Sequence, residues 1–262
     1  MGADLFAELA ATAESARWKL ADVPWSSFEP ARATAGLRAL VREMAFFEQA
    51  TFSATQKFMQ AFADDLAFTQ WVSVWFYEET RHPLVLMRWL ELAGESCDDA
   101  FVARGRVSAP FMRSRTGTLV TNVISEITAA GAYLALAQAA PEPLLAELAR
   151  RVAGDEARHA ASFFRFARQR IERSAGRDRE RLDAIKVLHF WLNESANVTH
   201  PVNQTMERLR GLEPVSGVRA DAAALRARIC GVVGLLADVP LGSPDDVPAV
   251  LVELTGRLHA GA

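Results

Sequence analysis

WVSVWFYEETRHPLVLMRWLELAG, residues 71–94, is the stretch whose reading decides the fold. Its apolar residues recur at helical spacing, and inside that pattern lies Glu79-Thr80-Arg81-His82. A second stretch, GDEARHAASFF (154–164), repeats the arrangement as Glu156-Ala157-Arg158-His159. Residues three apart lie on one helix face, so each Glu and His can grip one metal ion together. Glu79 shares its stripe with Val72, Trp75, Phe76 and Leu86, and Glu156 with Ala149, Val152, Ala153 and Phe163. A carboxylate on an apolar face must be paired, protonated or metal-bound, because burying it bare is costly. Two such faces, each with a histidine added, point to metal. The competing reading is ordinary salt-bridged helix surface, with an arginine beside each histidine.

Around these stretches the chain reads as helix throughout, rich in Ala, Leu, Arg and Glu and poor in strand-like alternation. A first helix is expected over about 3–20, broken by DVPWSSFEP. Helix A is expected over 31–63, with a turn at Asp64-Asp65. Helix B follows over 67–93 and stops at Gly94. A less regular stretch holds Gly105, Pro110 and Gly117. Helix C covers 118–140, Pro141 and Pro143 punctuate, and helix D runs to about Ser174. Further helices are expected over 178–198, 218–237 and 247–259, with a break at His200-Pro201. Short A–B and C–D links with a longer B–C link predict two antiparallel hairpins joined by a crossover. That is an all-α, ferritin-like four-helix bundle. The expectation is one domain over 1–262: an arm (1–30), a metal-binding bundle (31–174) and a C-terminal helical extension (178–262).

Helices A and C each supply one inward glutamate. Glu126 shares a stripe with Leu119, Val123, Ala130 and Tyr133, and Glu48 with Val41, Met44, Thr51, Phe52 and Thr55. Residues at equal height in a hairpin lie equally far from the turn. Glu48 and Glu79 are about 15 residues from Asp64-Asp65, and Glu126 and Glu156 about 15 from Pro141, so all four fall roughly 22 Å from their turns. Glu43 competes with Glu48 as the helix-A ligand. Glu78 and Asp155 each precede a candidate ligand and are either surface charge or carboxylate partners for the histidines. Tyr133 faces the site by spacing, as a hydrogen-bond donor or radical-capable group. Pro83, next to His82, removes a backbone hydrogen bond and predicts a local distortion of helix B.

A net charge of −3 and a pI near 6.0 give no reason to expect nucleic acid. Two cysteines, Cys97 and Cys230, cannot build a disulfide scaffold and fit a reducing compartment. No run of about 18 apolar residues is present and the N-terminus is acidic, so neither a membrane span nor a signal peptide is expected. The protein is read as cytoplasmic.

The paired motifs resemble those of the soluble acyl-carrier-protein desaturases within the ferritin-like di-iron superfamily. Glu78 to His82 match that family's Glu-Glu-x-Arg-His and Asp155 to His159 its Asp-Glu-x-Arg-His. The segment WKLADVPW (18–25) resembles a group of bacterial ferritin-like proteins of unassigned function. The resemblance covers about 18–173. It implies two iron ions (manganese or a mixed Mn/Fe pair also suits the donors) held by Glu48, Glu79, His82, Glu126, Glu156 and His159, with Asp155 beside a histidine ligand. It implies activation of dioxygen for desaturation or oxygenation of an apolar substrate, with electrons from an external donor such as a ferredoxin. An acyl carrier protein is an implied partner, and a homodimer is expected by analogy. Two departures stand out: Ala129 and Ala130 occupy the place of the family's helix-C threonine, with Thr128 off the inward face, and the chain is shorter. Phe46, Phe47, Phe52, Trp75, Phe76 and Tyr133 are candidates to line a pocket, or are plain core. Arg168 to Leu182 concentrates arginines that either dock an acidic partner or cover a solvated helix end. The alternative function is iron handling, as a ferroxidase or storage protein without an organic substrate.

Overall fold

The computed structural model describes residues 2–106, 114–193 and 222–260. All regular structure among them is helical: α1 (Gly2–Ala16), α2 (Ala35–Phe47), α3 (Ala50–Ala61), α4 (Leu66–Glu79), α5 (Arg81–Leu92), α6 (Asp99–Gly105), α7 (Arg115–Ala139), α8 (Pro143–Arg173), α9 (Arg177–Leu192), α10 (Ala222–Ala237) and α11 (Val247–Ala260). The all-α, ferritin-like helical bundle expected from the sequence is the fold found.

The boundaries follow local chemistry. Thr34 caps α2 and Asp65 caps α4 through side chains that accept from Leu37 and Phe68 N–H. Gly94, at φ 82°, ends α5: its N–H donates to Glu91 O and that of Glu95 to Leu90 O, a paired C-terminal closure that needs the left-handed residue. At the start of α8 the buried Glu142 accepts from Leu144 and Leu145 N–H at 3.3 and 2.8 Å, with Pro143 as first helical residue. The same carboxylate accepts from Glu29 N–H and from the indole of Trp89 at 2.6 Å, so one side chain ties the cap to the arm and to α5.

Several expectations need correction. The first helix stops at Ala16, and a 3-10 turn occupies Leu20–Asp22. Helix A is not continuous: α2 and α3 are separated at Glu48–Gln49. Helix B is divided at Thr80, three residues before Pro83, which is the local distortion expected there. The B–C link carries an unanticipated short helix, α6. Pro110, the end of the helix expected to Val198, the His200-Pro201 break and the start of the helix expected at Val218 lie outside the described residues.

The described residues divide into two compact units: 2–106 and 129–156 in the first, and 114–128, 157–193 and 222–260 in the second. In the first unit α2 packs on α5 and α3 on α4, the expected antiparallel pairing, and α1 lies on α4. Its core joins Leu37 and Val41 of α2 and Leu86 and Trp89 of α5. Leu136 of α7 and Leu148 and Val152 of α8 complete it. Each such fully buried side chain contributes roughly 1.5–3 kcal/mol. Beyond the cluster of polar groups described below, Phe58, Phe62, Phe68 and Trp75 close the α3–α4 end, with Phe62 and Phe68 centroids 4.4 Å apart. In the second unit α9 packs against α10 and α11. Leu188, Val233 and Leu254 are among its buried residues.

Helix α7 is long and apolar enough, by length and composition, to cross a membrane, although the sequence contains no unbroken apolar run. Just over half of its most apolar window is buried, and it carries the buried Glu126.

Candidate metal centre

Four candidate ligands meet in the first unit. Glu48 comes from the end of α2, Glu79 from the last residue of α4, His82 from the first turn of α5 and Glu156 from the middle of α8. One donor atom from each lies within 4.8 Å of all the others. His82 Nδ1 is 3.6 Å from Glu48 Oε2, 3.9 Å from Glu79 Oε1 and 3.5 Å from Glu156 Oε1. Donors around one ion with bonds near 2.1 Å stand about 3–4.2 Å apart, so this set fits a metal. It is hard and mixed, oxygen with imidazole nitrogen, which suits iron or manganese. All four are buried except Glu48, whose side chain is 12% exposed.

Local sequence explains why Glu79 and His82 sit where they do. Pro83 has no N–H for the Glu79 carbonyl, and the helix gives way for one residue at Thr80, between the two candidate ligands. The distortion expected from Pro83 therefore lies inside the motif itself.

The other nitrogen of His82 has a separate task. Nε2 lies 3.2 Å from Asp155 Oδ2. A proton on Nε2, donated to that oxygen, leaves Nδ1 as a lone pair facing the glutamates. The same Oδ2 accepts from Trp18 Nε1 at 2.8 Å and from Arg81 Nη2 at 3.1 Å. Arg81 stacks on the Trp18 ring, 4.3 Å from its centroid, and donates through Nη1 to the Trp18 carbonyl at 2.6 Å. Burial works to lower the pKa of His82, but Glu156 and Glu79 outweigh it and hold the imidazole well above its ordinary 6.5. A field that retains a proton there equally attracts a divalent cation.

Two hydroxyls reach the cluster. Tyr133 O–H donates to Glu48 Oε1, and Thr51 Oγ1 donates to Glu79 Oε2 at 3.0 Å. Burial and the neighbouring Glu48 push Tyr133 well above the usual phenol value, so it stays a neutral donor.

The second unit holds the other two candidates. Glu126 on α7 and His159 on α8 are both buried, with Nδ1 3.9 Å from Oε2. The helix α8 that carries His159 is continuous with the turn bearing Glu156, three residues earlier.

Residues 118–223 match the family model of rubrerythrin. Rubrerythrin is a ferritin-like di-iron family, so the match supports that superfamily, and a redox or iron-handling role in general, for this chain. The matched stretch contains Glu126, Glu156 and His159 and leaves out Glu48, Glu79 and His82. It does not reach the desaturase likeness. No curated protein matches the chain.

Of the remaining sequence candidates, Glu43 is absent from the four-residue cluster, which contains Glu48. Glu78 is buried and ion-paired with Arg17 Nε at 3.1 Å. Thr128 is buried and its hydroxyl donates to the Ile124 carbonyl. Phe46 packs edge-on against Phe101 and Trp75 against Phe58, as core. Phe52 is exposed and meets Phe76 at 6.0 Å. In the arginine-rich segment Arg168 pairs with Glu172, Arg181 with Asp178 and Asp238, and Arg170 with Glu180.

Sequence reasoning missed Trp18, Arg81 and Thr51 as contributors. Arg81 stood inside the motif and Trp18 inside the quoted WKLADVPW. Thr51 shares the stripe of Glu48 with Thr55, and these two hydroxyls on an otherwise apolar face were a signal that the stripe meets something polar.

Proposed function

We propose that the protein is a non-haem di-iron oxidoreductase. In this reading Glu48, Glu79, His82 and Glu156 hold one ion in the first unit, and Glu126 and His159 in the second unit are the candidates to hold another. The observation that carries it is the buried convergence of three carboxylates on His82 Nδ1, backed by Asp155 on Nε2. Four glutamates balance two divalent ions, which removes the cost of burying them bare. Bound iron would supply redox chemistry toward dioxygen, for desaturation or oxygenation of an apolar substrate, for instance one carried as an acyl chain.

The protein's own groups have distinct tasks. Asp155 keeps a proton on His82 Nε2 and so orients Nδ1. Tyr133 and Thr51 hold the outer oxygens of Glu48 and Glu79. The apolar side chains of α2, α5 and α8 keep water out. The sequence carries no flavin or nicotinamide motif, and in this reading the electrons come from an external donor such as a ferredoxin. An iron-handling role is the second reading, and the rubrerythrin match is compatible with it as much as with the first.

Anaerobic loading with ferrous iron, followed by oxygen uptake with a chemical reductant and with or without acyl-carrier substrates, separates the two. Two irons per chain with substrate-dependent uptake supports the oxidoreductase. Two irons with substrate-independent uptake, or many irons per chain, supports iron handling. His159→Ala should lose at least one metal per chain; failure of the wild type to bind iron refutes both.

A further inference from the structure

Residues 35–61 contain no proline, and their one glycine, Gly36, stands at the start. Yet the helix breaks at Glu48–Gln49, the position of a candidate ligand. Around the break the N–H groups of Gln49, Thr51 and Phe52 donate three residues back, to Phe46, Glu48 and Gln49 carbonyls, at 3.3, 3.4 and 3.3 Å. The Ala45 carbonyl, which the Gln49 N–H would reach in an unbroken helix, accepts instead from Gln49 Nε2 at 3.2 Å. A mid-helix break with 3-10 bonding has an identifiable cause, and none is present in the local sequence.

The cause arrives from α6. A Cβ on Gly105 would lie 2.6 Å from the Phe46 carbonyl oxygen and 2.7 Å from Gln49 Cβ. Only glycine permits this approach, because the first obstacle is backbone. The contact is latched on both sides. Ser53 Oγ donates to the Arg106 carbonyl at 2.6 Å, the Arg106 guanidinium lies 4.3 Å over the Phe52 ring, and Phe101 packs on Phe46 at 5.4 Å.

We infer that α6 is a positioning element for Glu48: the close seat of Gly105 against Phe46 and Gln49 sets the helix break that aims the Glu48 carboxylate at His82. The inference rests on Glu48 being a metal ligand. Gly105 touches no metal and acts through the backbone at 46–49.

Cobalt(II) titration of the anaerobic full chain, followed by its absorption bands, tests it. Gly105→Ala should weaken the site containing Glu48 about tenfold, the scale of losses when a ligand's support is removed, and leave the other site unchanged. Ser53→Ala, which only loosens the latch, should weaken the same site by a smaller factor and serves if Gly105→Ala does not fold. In a Glu48→Ala background Gly105→Ala should add no loss at that site, which a general destabilisation would not reproduce. Wild-type affinity in both Gly105→Ala and Ser53→Ala, or the same loss with Glu48 absent, overturns the inference alone. A wild-type chain that binds no cobalt overturns the metal reading and this inference with it.

Discussion

Replacing Asp155 by alanine should damage both the fold and the metal site, by separable amounts. Asp155 is fully buried and its partner Arg81 nearly so, 0% and 5% exposed as side chains. Removing one member of a buried pair costs about 3–5 kcal/mol, because the other charge is left uncompensated. Glu78 also favours the charged form of Arg81, which places the cost toward the lower end. The Trp18 indole loses its acceptor as well. A loss of about 3 kcal/mol in a chain of this size lowers Tm by roughly 6–12 °C. At the metal, losing the carboxylate that orients a ligating histidine weakens affinity about 10–100-fold. Thermal unfolding of the metal-free protein reads the first effect and cobalt titration the second. Asp155→Asn, which keeps an acceptor for Trp18, should recover part of the Tm while leaving affinity low. A Tm within 2 °C of wild type together with unaltered affinity would refute the role assigned to Asp155.

Glu142→Ala should lower Tm by a similar amount without changing metal stoichiometry, since Glu142 satisfies the indole of Trp89 and three backbone donors far from the ligand cluster; loss of metal would contradict that separation. Tyr133→Phe should reduce oxygen-dependent turnover, because Glu48 loses the donor on Oε1; unaltered turnover would show that the hydroxyl has no part. His82 is held above its ordinary pKa in the folded, metal-free protein. Its stabilising contribution is therefore complete below the unfolded value near 6.5 and is lost as pH rises through the raised folded value. Metal must displace that proton, so affinity should rise with pH across the same window by up to about tenfold per unit, measurable by titration against a His82→Gln control.

The all-helical pattern was legible, and so was the pairing of each carboxylate with its histidine, because both are local. A 3.6-residue period puts Glu79 with His82, and Glu156 with His159, on single faces whatever the rest of the chain does. Gly94, Pro143 and Pro83 act on their own neighbours, so the end of α5, the start of α8 and the division at Thr80 were readable from the sequence. Equal distance from the turn brought Glu48, rather than Glu43, to the height of Glu79. What the sequence could not show depends on segments far apart in the chain. The break at Glu48–Gln49 comes from Gly105, the partners of Asp155 from the arm at Trp18, and the burial of Arg81 from a ring it meets only after folding. Helix propensity and hydrogen bonding to the fourth residue act over one turn, whereas these contacts are set by which helix faces pack together, and that is decided by tertiary structure alone.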